Sequence, residues 1–205
     1  MTDIAVEPRP YHHGDLSRAL VEAASRLLAR EGASALSLRA VAREAGVSAA
    51  APYHHFKDKN ELLAAVARLG FEQMGEAMHK ATQNAHTPSD RLNAVGVAYV
   101  CFARENAALY KVMYEVGRER DPRTDASPAD SGGLALVMQS IRENAPDDAE
   151  DIDIQLAQIA GWCAAHGLAE LAGYREFDAL KAKLGGEKAF FSQVLAHLGM
   201  YHSNA

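Results

Sequence analysis

At 205 residues the chain can form one small and one larger helical domain around a sizeable shared core. Abundant Ala, only 7 Pro and few β-branched runs point to an all-α fold. A net charge of -6 and no apolar run of bilayer-spanning length exclude a membrane span and a uniformly basic nucleic-acid coat.

The charge is segregated. Residues 1–70 hold nine Arg or Lys against eight Asp or Glu, net +1, and residues 71–205 hold twelve against nineteen, net -7. Residues 1–13 form an N-terminal arm with Pro8, Pro10 and no helical period, whose Arg9, Tyr11, His12 and His13 could reach a minor groove. The first ten residues lack the apolar stretch of a secretory signal, so a cytoplasmic protein is expected. Gly14–Asp15 starts a helix with Leu16, Leu20, Ala23 and Leu27 on one stripe, stopped by Gly32.

A second helix follows, capped by Ser37, with Leu38, Val41, Ala42 and Ala45 on its inner face. Gly46 supplies a left-handed turn, Val47 re-enters the core and Ser48 is positioned to cap a third, short helix. Helix, glycine turn, helix is the helix-turn-helix arrangement. Ala49, Ala50, Tyr53 and His54 fall on its outward face, the one a DNA major groove meets, while Phe56 turns inward.

Leu38-Arg-Ala-Val-Ala-Arg-Glu-Ala-Gly-Val-Ser48, Tyr53-His-His-Phe56, Lys59 and Leu62-Leu63 together resemble the TetR family of bacterial transcriptional repressors. The resemblance implies a DNA-binding domain over residues 14–60 and a ligand-binding and dimerisation domain over 61–205. By position it implies phosphate contacts from Tyr53, His55 and Lys59 and a contact from Arg39 on the second helix. Such phosphate contacts set register without reading sequence. Two features depart from the pattern. Pro52 stands where an aliphatic residue is usual, and the segment 48–56 contains no Arg, Lys, Asn or Gln, the side chains that read bases bidentately. Base readout is therefore assigned to Arg39, Ser48, His54 and the methyls of Ala49 and Ala50.

Asp58 and Glu61 form a capping box for a long helix reaching about Lys80, with Lys59 in its first turn. In TetR-like proteins movement of this helix is how ligand binding releases DNA, which the resemblance implies here. Thr87-Pro88 starts the next helix, through Leu92, Val95, Tyr99 and Phe102, and a shorter one covers 106–114. Residues 117–131, with two prolines and many charges, read as a loop, and Leu134, Val137, Met138 and Ile141 as a further helix.

The acidic stretch Asp147–Asp153 suits a helix N-terminus and lacks the glycine and ligand spacing of a calcium loop. The helix it opens runs to about Ala172, carries many small residues and places Trp162 and His166-Gly167 together. That grouping resembles a TetR C-terminal domain type named for Trp, His and Gly. A last helix is expected over 187–200. Paired with helix 147–172 in two subunits, it would form a four-helix dimer interface.

Tyr99, Phe102, Tyr110, Met113, Tyr114, Met138, Trp162 and His166 offer material for a pocket holding an uncharged or weakly polar effector, and they fit a plain core as well. Cys101 and Cys163 read as buried free thiols. Glu76-x-x-His79 occurs once, so it does not build a di-iron site, and no phosphate loop, zinc spacing or nucleophile elbow is present. The expectation is therefore a homodimeric, non-enzymatic regulator binding palindromic double-stranded DNA and a small effector, with no metal or cofactor. The alternative is a helical ligand-binding protein or small enzyme with an inactive helix-turn-helix.

Overall fold

A computed structural model describes residues 13–118 and 132–197, which form nine α-helices and no strand. The first is α1, His13–Glu31. After a 3-10 turn at Ala33–Ala35, α2 covers Leu38–Glu44, and the Ser37 side chain accepts from Ala40 N at 3.1 Å, the cap that its position predicts. A second 3-10 turn, Ala51–His54, precedes α3, Lys59–Thr82. Then come α4, Pro88–Glu105; α5, Ala107–Arg118; α6, Gly132–Asn144; and α7, Asp151–Leu171.

Beyond α7 lie a 3-10 turn at Arg175–Phe177, α8 at Asp178–Lys183 and α9 at Glu187–His197. The arm 1–12, most of the 117–131 loop and the end of the last expected helix lie outside the described residues.

Local chemistry sets most boundaries. Asp58 Oδ1 accepts from the backbone N of Asn60 and Glu61, at 2.9 and 3.0 Å. The expected box is shifted by one residue, since Glu61 reaches back to Lys57 N at 2.6 Å. At α4 the capping box is complete: Thr87 Oγ1 accepts from Asp90 N at 3.0 Å and Asp90 Oδ2 from Thr87 N at 3.2 Å. The α7 helix starts at Asp151, later than expected, with Glu150 at its N-cap and Asp147 and Asp148 in the preceding turn.

Helix α3 is the axis of the molecule. It packs against α1, α4, α5 and α6. Its Leu62, Val66, Phe71, Met74 and Met78 are buried in a core cluster running continuously from Leu20 of α1 to Phe191 of α9. A smaller cluster of Leu92, Ile141, Ile154 and Leu195 ties together α4, α6, α7 and α9. Gly75 of α3 meets Gly133 of α6 so closely that a Cβ on Gly75 would stand 2.9 Å from Gly133 N. The two helices cross there backbone to backbone.

Candidate nucleic-acid interface and effector site

The first candidate site grows from α1, α2 and the turn after them. Arg30 of α1 grips Glu44 at the end of α2, with Nη2 to Oε2 at 2.8 Å, and this holds the Glu44 carboxyl below its ordinary range. Gly46, at φ 70°, turns the chain, and Val47 N donates to Ala42 O at 2.9 Å. Ala42 is buried at the crossing, where only a small side chain fits.

The segment 48–56 corrects one expectation. It is not an α-helix capped by the Ser48 side chain. Ala51 N donates to Ser48 O, Tyr53 N to Ala50 O and His55 N to Pro52 O, which are i to i-3 bonds of a 3-10 turn. Pro52 explains this, because it has no N–H to donate to Ser48 O and so removes the first i to i-4 bond of an α-helix. The ring is fully buried and anchors the turn. Phe56 is buried as expected, its N–H donating to Pro52 O at 2.9 Å.

Outside that anchor, Ser48, Ala49, Ala50, Tyr53 and His54 are all exposed, Tyr53 by 54%, and His55 is half-buried. Arg39, on the second position of α2, is exposed too. Lys59 differs from a free phosphate ligand. Its Nζ donates to Ala33 O at 3.0 Å, so its ammonium ties the start of α3 to the turn after α1.

The second candidate site lies among α4, α5 and α7. Tyr99 of α4, Tyr110 and Tyr114 of α5, and Trp162 and His166 of α7 converge. Tyr99 Oη lies 2.8 Å from Tyr110 Oη, 2.9 Å from Tyr114 Oη and 3.1 Å from His166 Nδ1. Tyr110 Oη lies 2.6 Å from the same His166 nitrogen, and Trp162 Nε1 donates to Tyr99 Oη at 3.3 Å. Burial raises the hydroxyl pKa of all three tyrosines above the ordinary phenol value, so each carries its proton at neutral pH. Tyr114 stands edge-on to His166, with ring centroids 4.9 Å apart. An adjoining cleft of about 550 Å³ is lined by Tyr110, Tyr114 and His166, with Arg104, Lys111 and Glu170 among its polar groups.

Three of the expected pocket residues are elsewhere. Met113 is fully buried against Gly70 of α3, Phe102 lines a different cleft of about 880 Å³ between α3, α4 and α9, and Met138 is exposed on α6. Helical periodicity shows which residues share a face but not which neighbour that face meets. Arg104 and Glu170 escaped sequence reasoning, which looked for aromatic and apolar lining only. The cysteines also need correction: both are free, but Cys101 is half-buried and Cys163 is exposed on α7. Burial raises the Cys101 thiol pKa.

Helix α7 turns apolar side chains outward. Ile152, Leu156 and Ile159 are 55%, 57% and 57% exposed, and Leu171 at its last position and Tyr174 after it are exposed as well. Helix α9 does the opposite: its Phe190, Phe191 and Leu195 are buried within the chain, and Glu187, Lys188, Gln193 and His197 face outward. Of these two helices, the exposed large apolar side chains among the described residues are on α7. No metal-ligating cluster and no helix long and apolar enough to cross a membrane occur among the described residues.

Comparison with known proteins accords with this architecture. The profile of bacterial regulatory proteins of the TetR family matches residues 20–66, and that of a tetracycline repressor-like C-terminal domain matches residues 92–198. The chain is 31% identical over 107 residues to the HTH-type transcriptional regulator BetI of Brucella canis, covering 51% of this chain and 54% of that one. It is 34% identical over 110 residues to BetI of Rhizobium meliloti, again spanning about half the length of that relative, 54%.

A solved protein of unknown function from Rhodococcus sp. RHA1 superposes with a TM-score of 0.72 at 30% identity, over 95% of this chain and 97% of that one. A TetR-family regulatory protein from Rhodococcus RHA1 shares the fold at 22% identity and a TM-score of 0.66, over 91% and 96% of the two chains. With both halves matched, the chain belongs to the TetR family.

Proposed function

We infer that the protein is a cytoplasmic, homodimeric DNA-binding transcriptional regulator, a repressor released from a palindromic operator by a small effector, and not an enzyme. The observation that carries this reading is the exposed constellation of Arg39, Ser48, Ala49, Ala50, Tyr53 and His54, with the half-buried His55, around the buried Pro52 and Phe56. Residues 14–60 are assigned to DNA binding and 61–205 to effector binding and dimerisation, with residues 1–13 as an arm. The BetI relatives are named as transcriptional regulators, which supports the assignment.

In this reading Tyr53, His55 and Lys59 touch phosphates, and Arg39, His54 and Ser48 meet base edges, with the methyls of Ala49 and Ala50 against thymine methyls. Lys59 would share its donors between Ala33 O and a phosphate, since an ammonium has three. Dimerisation is assigned to the exposed apolar face of α7, which the second copy covers, placing two reading heads roughly one DNA turn, about 34 Å, or a small multiple apart. The effector is assigned to the cleft beside Tyr110, Tyr114 and His166.

Salt dependence tests the DNA-binding reading. Affinity for an operator fragment should fall steeply as salt rises, with a log–log slope of about -0.9 per phosphate neutralised. A salt-independent or undetectable interaction would favour the alternative, a helical ligand-binding protein.

A further inference from the structure

We propose that the α4–α5–α7 cleft takes an uncharged small molecule whose carbonyl oxygen accepts a hydrogen bond from His166 Nε2. This deepens the assignment of the cleft as the effector site and rests on it. The inference starts from proton counting. Tyr110 Oη and His166 Nδ1 stand 2.6 Å apart, a short contact suited to an O–H donor, and we assign Tyr110 as the donor and Nδ1 as the acceptor. A neutral imidazole accepting at Nδ1 carries its hydrogen on Nε2.

The rest of the network closes consistently. The Tyr99 oxygen accepts from Trp162 Nε1 and from Tyr114, and the Tyr99 hydrogen turns to Tyr110 Oη, so Tyr99 uses its hydrogen and both lone pairs. All the polar atoms of the cluster are then engaged with one another except the His166 Nε2–H, which has no partner among the described residues. His166, half-buried and lining the cleft, is thus left with one donor that no described residue takes.

Charge selects against an anion in the same place. Both cations at the cleft have a carboxylate nearby: Arg104 Nε, which is buried and makes no hydrogen bond of good geometry, stands 3.0 Å from Glu187 Oε1, and Lys111 Nζ stands 3.6 Å from Glu115 Oε1. Glu170 lines the cleft with no ion-pair partner among the described residues. A carboxylate ligand would face that charge, and an amide or ester carbonyl would not.

The test uses no DNA, so its failure is separable from failure of the regulator reading. Protein labelled with 15N-histidine gives the tautomer of each imidazole by NMR, and the His166→Gln spectrum identifies the His166 signals among nine histidines. Benzamide, benzoate and benzylammonium are then titrated, read by the His166 signals and by fluorescence of Trp162, the single tryptophan. The expected results are the Nε2–H tautomer, loss of its dominance in Tyr110→Phe, and benzamide binding about tenfold tighter than the two ions. Removal of the donor in His166→Phe should weaken benzamide by about the same factor. An Nδ1–H tautomer, equal binding of either ion, unchanged benzamide affinity in a folded His166→Phe, or no response to benzamide at millimolar concentration would each overturn the proposal. Benzamide binding by a protein that ignores DNA would leave this inference standing and sink the regulator reading instead.

Discussion

Pro52 shows how one residue can both build and restrict a reading surface. Its ring is buried and anchors the turn, and its missing N–H converts the expected α-helix into a 3-10 turn. Five exposed neighbours remain, Ser48, Ala49, Ala50, Tyr53 and His54, none with a bidentate side chain, so discrimination falls chiefly on Arg39 and His54. Arg39→Ala is expected to reduce the preference for the cognate operator by about 1–3 kcal/mol while leaving non-specific affinity largely unchanged, measured by competition binding. An unchanged preference would remove Arg39 as a base reader. Lys59→Gln is expected instead to weaken binding to all sequences and reduce the salt slope by about one contact.

At this scale the sequence was most legible where chemistry is local. Ser37, Gly46, Asp58 and Thr87 announce caps and turns by their own side-chain and backbone preferences, and each does what its position predicts. Tyr110 with Tyr114, and Trp162 with His166, could be seen as i, i+4 pairs, but nothing in their spacing brings Tyr99 between them. The ammonium of Lys59 on Ala33 O, 26 residues away in the chain, was equally invisible.

Among the elements, α3 is the one that touches both candidate sites, and its contact with α6 is held by two glycines. Gly75→Ala forces a methyl against the Gly133 backbone, which has no flexible side chain to yield. The expected cost is about 1–3 kcal/mol of stability, measured by denaturant unfolding, with α3 displaced relative to α6. A variant of unchanged stability would mean that the crossing is loose.

The α4 cap makes a pH prediction. Hydrogen bonds, first from the Thr87 side chain and then from its backbone, hold the Asp90 carboxyl below its ordinary range. Its stabilisation is therefore present at neutral pH and is lost as pH falls from the unfolded carboxylate range through the folded pKa. The melting-temperature gap between the native protein and Asp90→Asn should shrink below about pH 4. A gap that is constant with pH would deny the charged cap a role. Element boundaries that depend on distant packing were the harder ones to read. Residues 173–186 fold into a 3-10 turn and the six-residue α8, too short for any periodicity to register.

For the whole molecule, the all-α architecture followed from composition and helical period, whereas the division of labour between α7 and α9 did not. Both helices carry apolar residues, and only packing shows that α9 spends its own on α4 and α7 while α7 turns Ile152, Leu156 and Ile159 outward. Leu156→Glu is accordingly expected to shift the protein toward monomer in light scattering at micromolar concentration, with the helical signal kept. A native protein that is already monomeric under those conditions would contradict the dimer.

In the proposed reading this chain recognises a DNA sequence as a pair of heads. Its most direct test is to incubate the purified protein with fragments of its own genome at moderate salt, recover those bound and sequence them. Enrichment of fragments sharing an inverted repeat is expected, with the enrichment lost as salt rises. No shared repeat at any salt would contradict it.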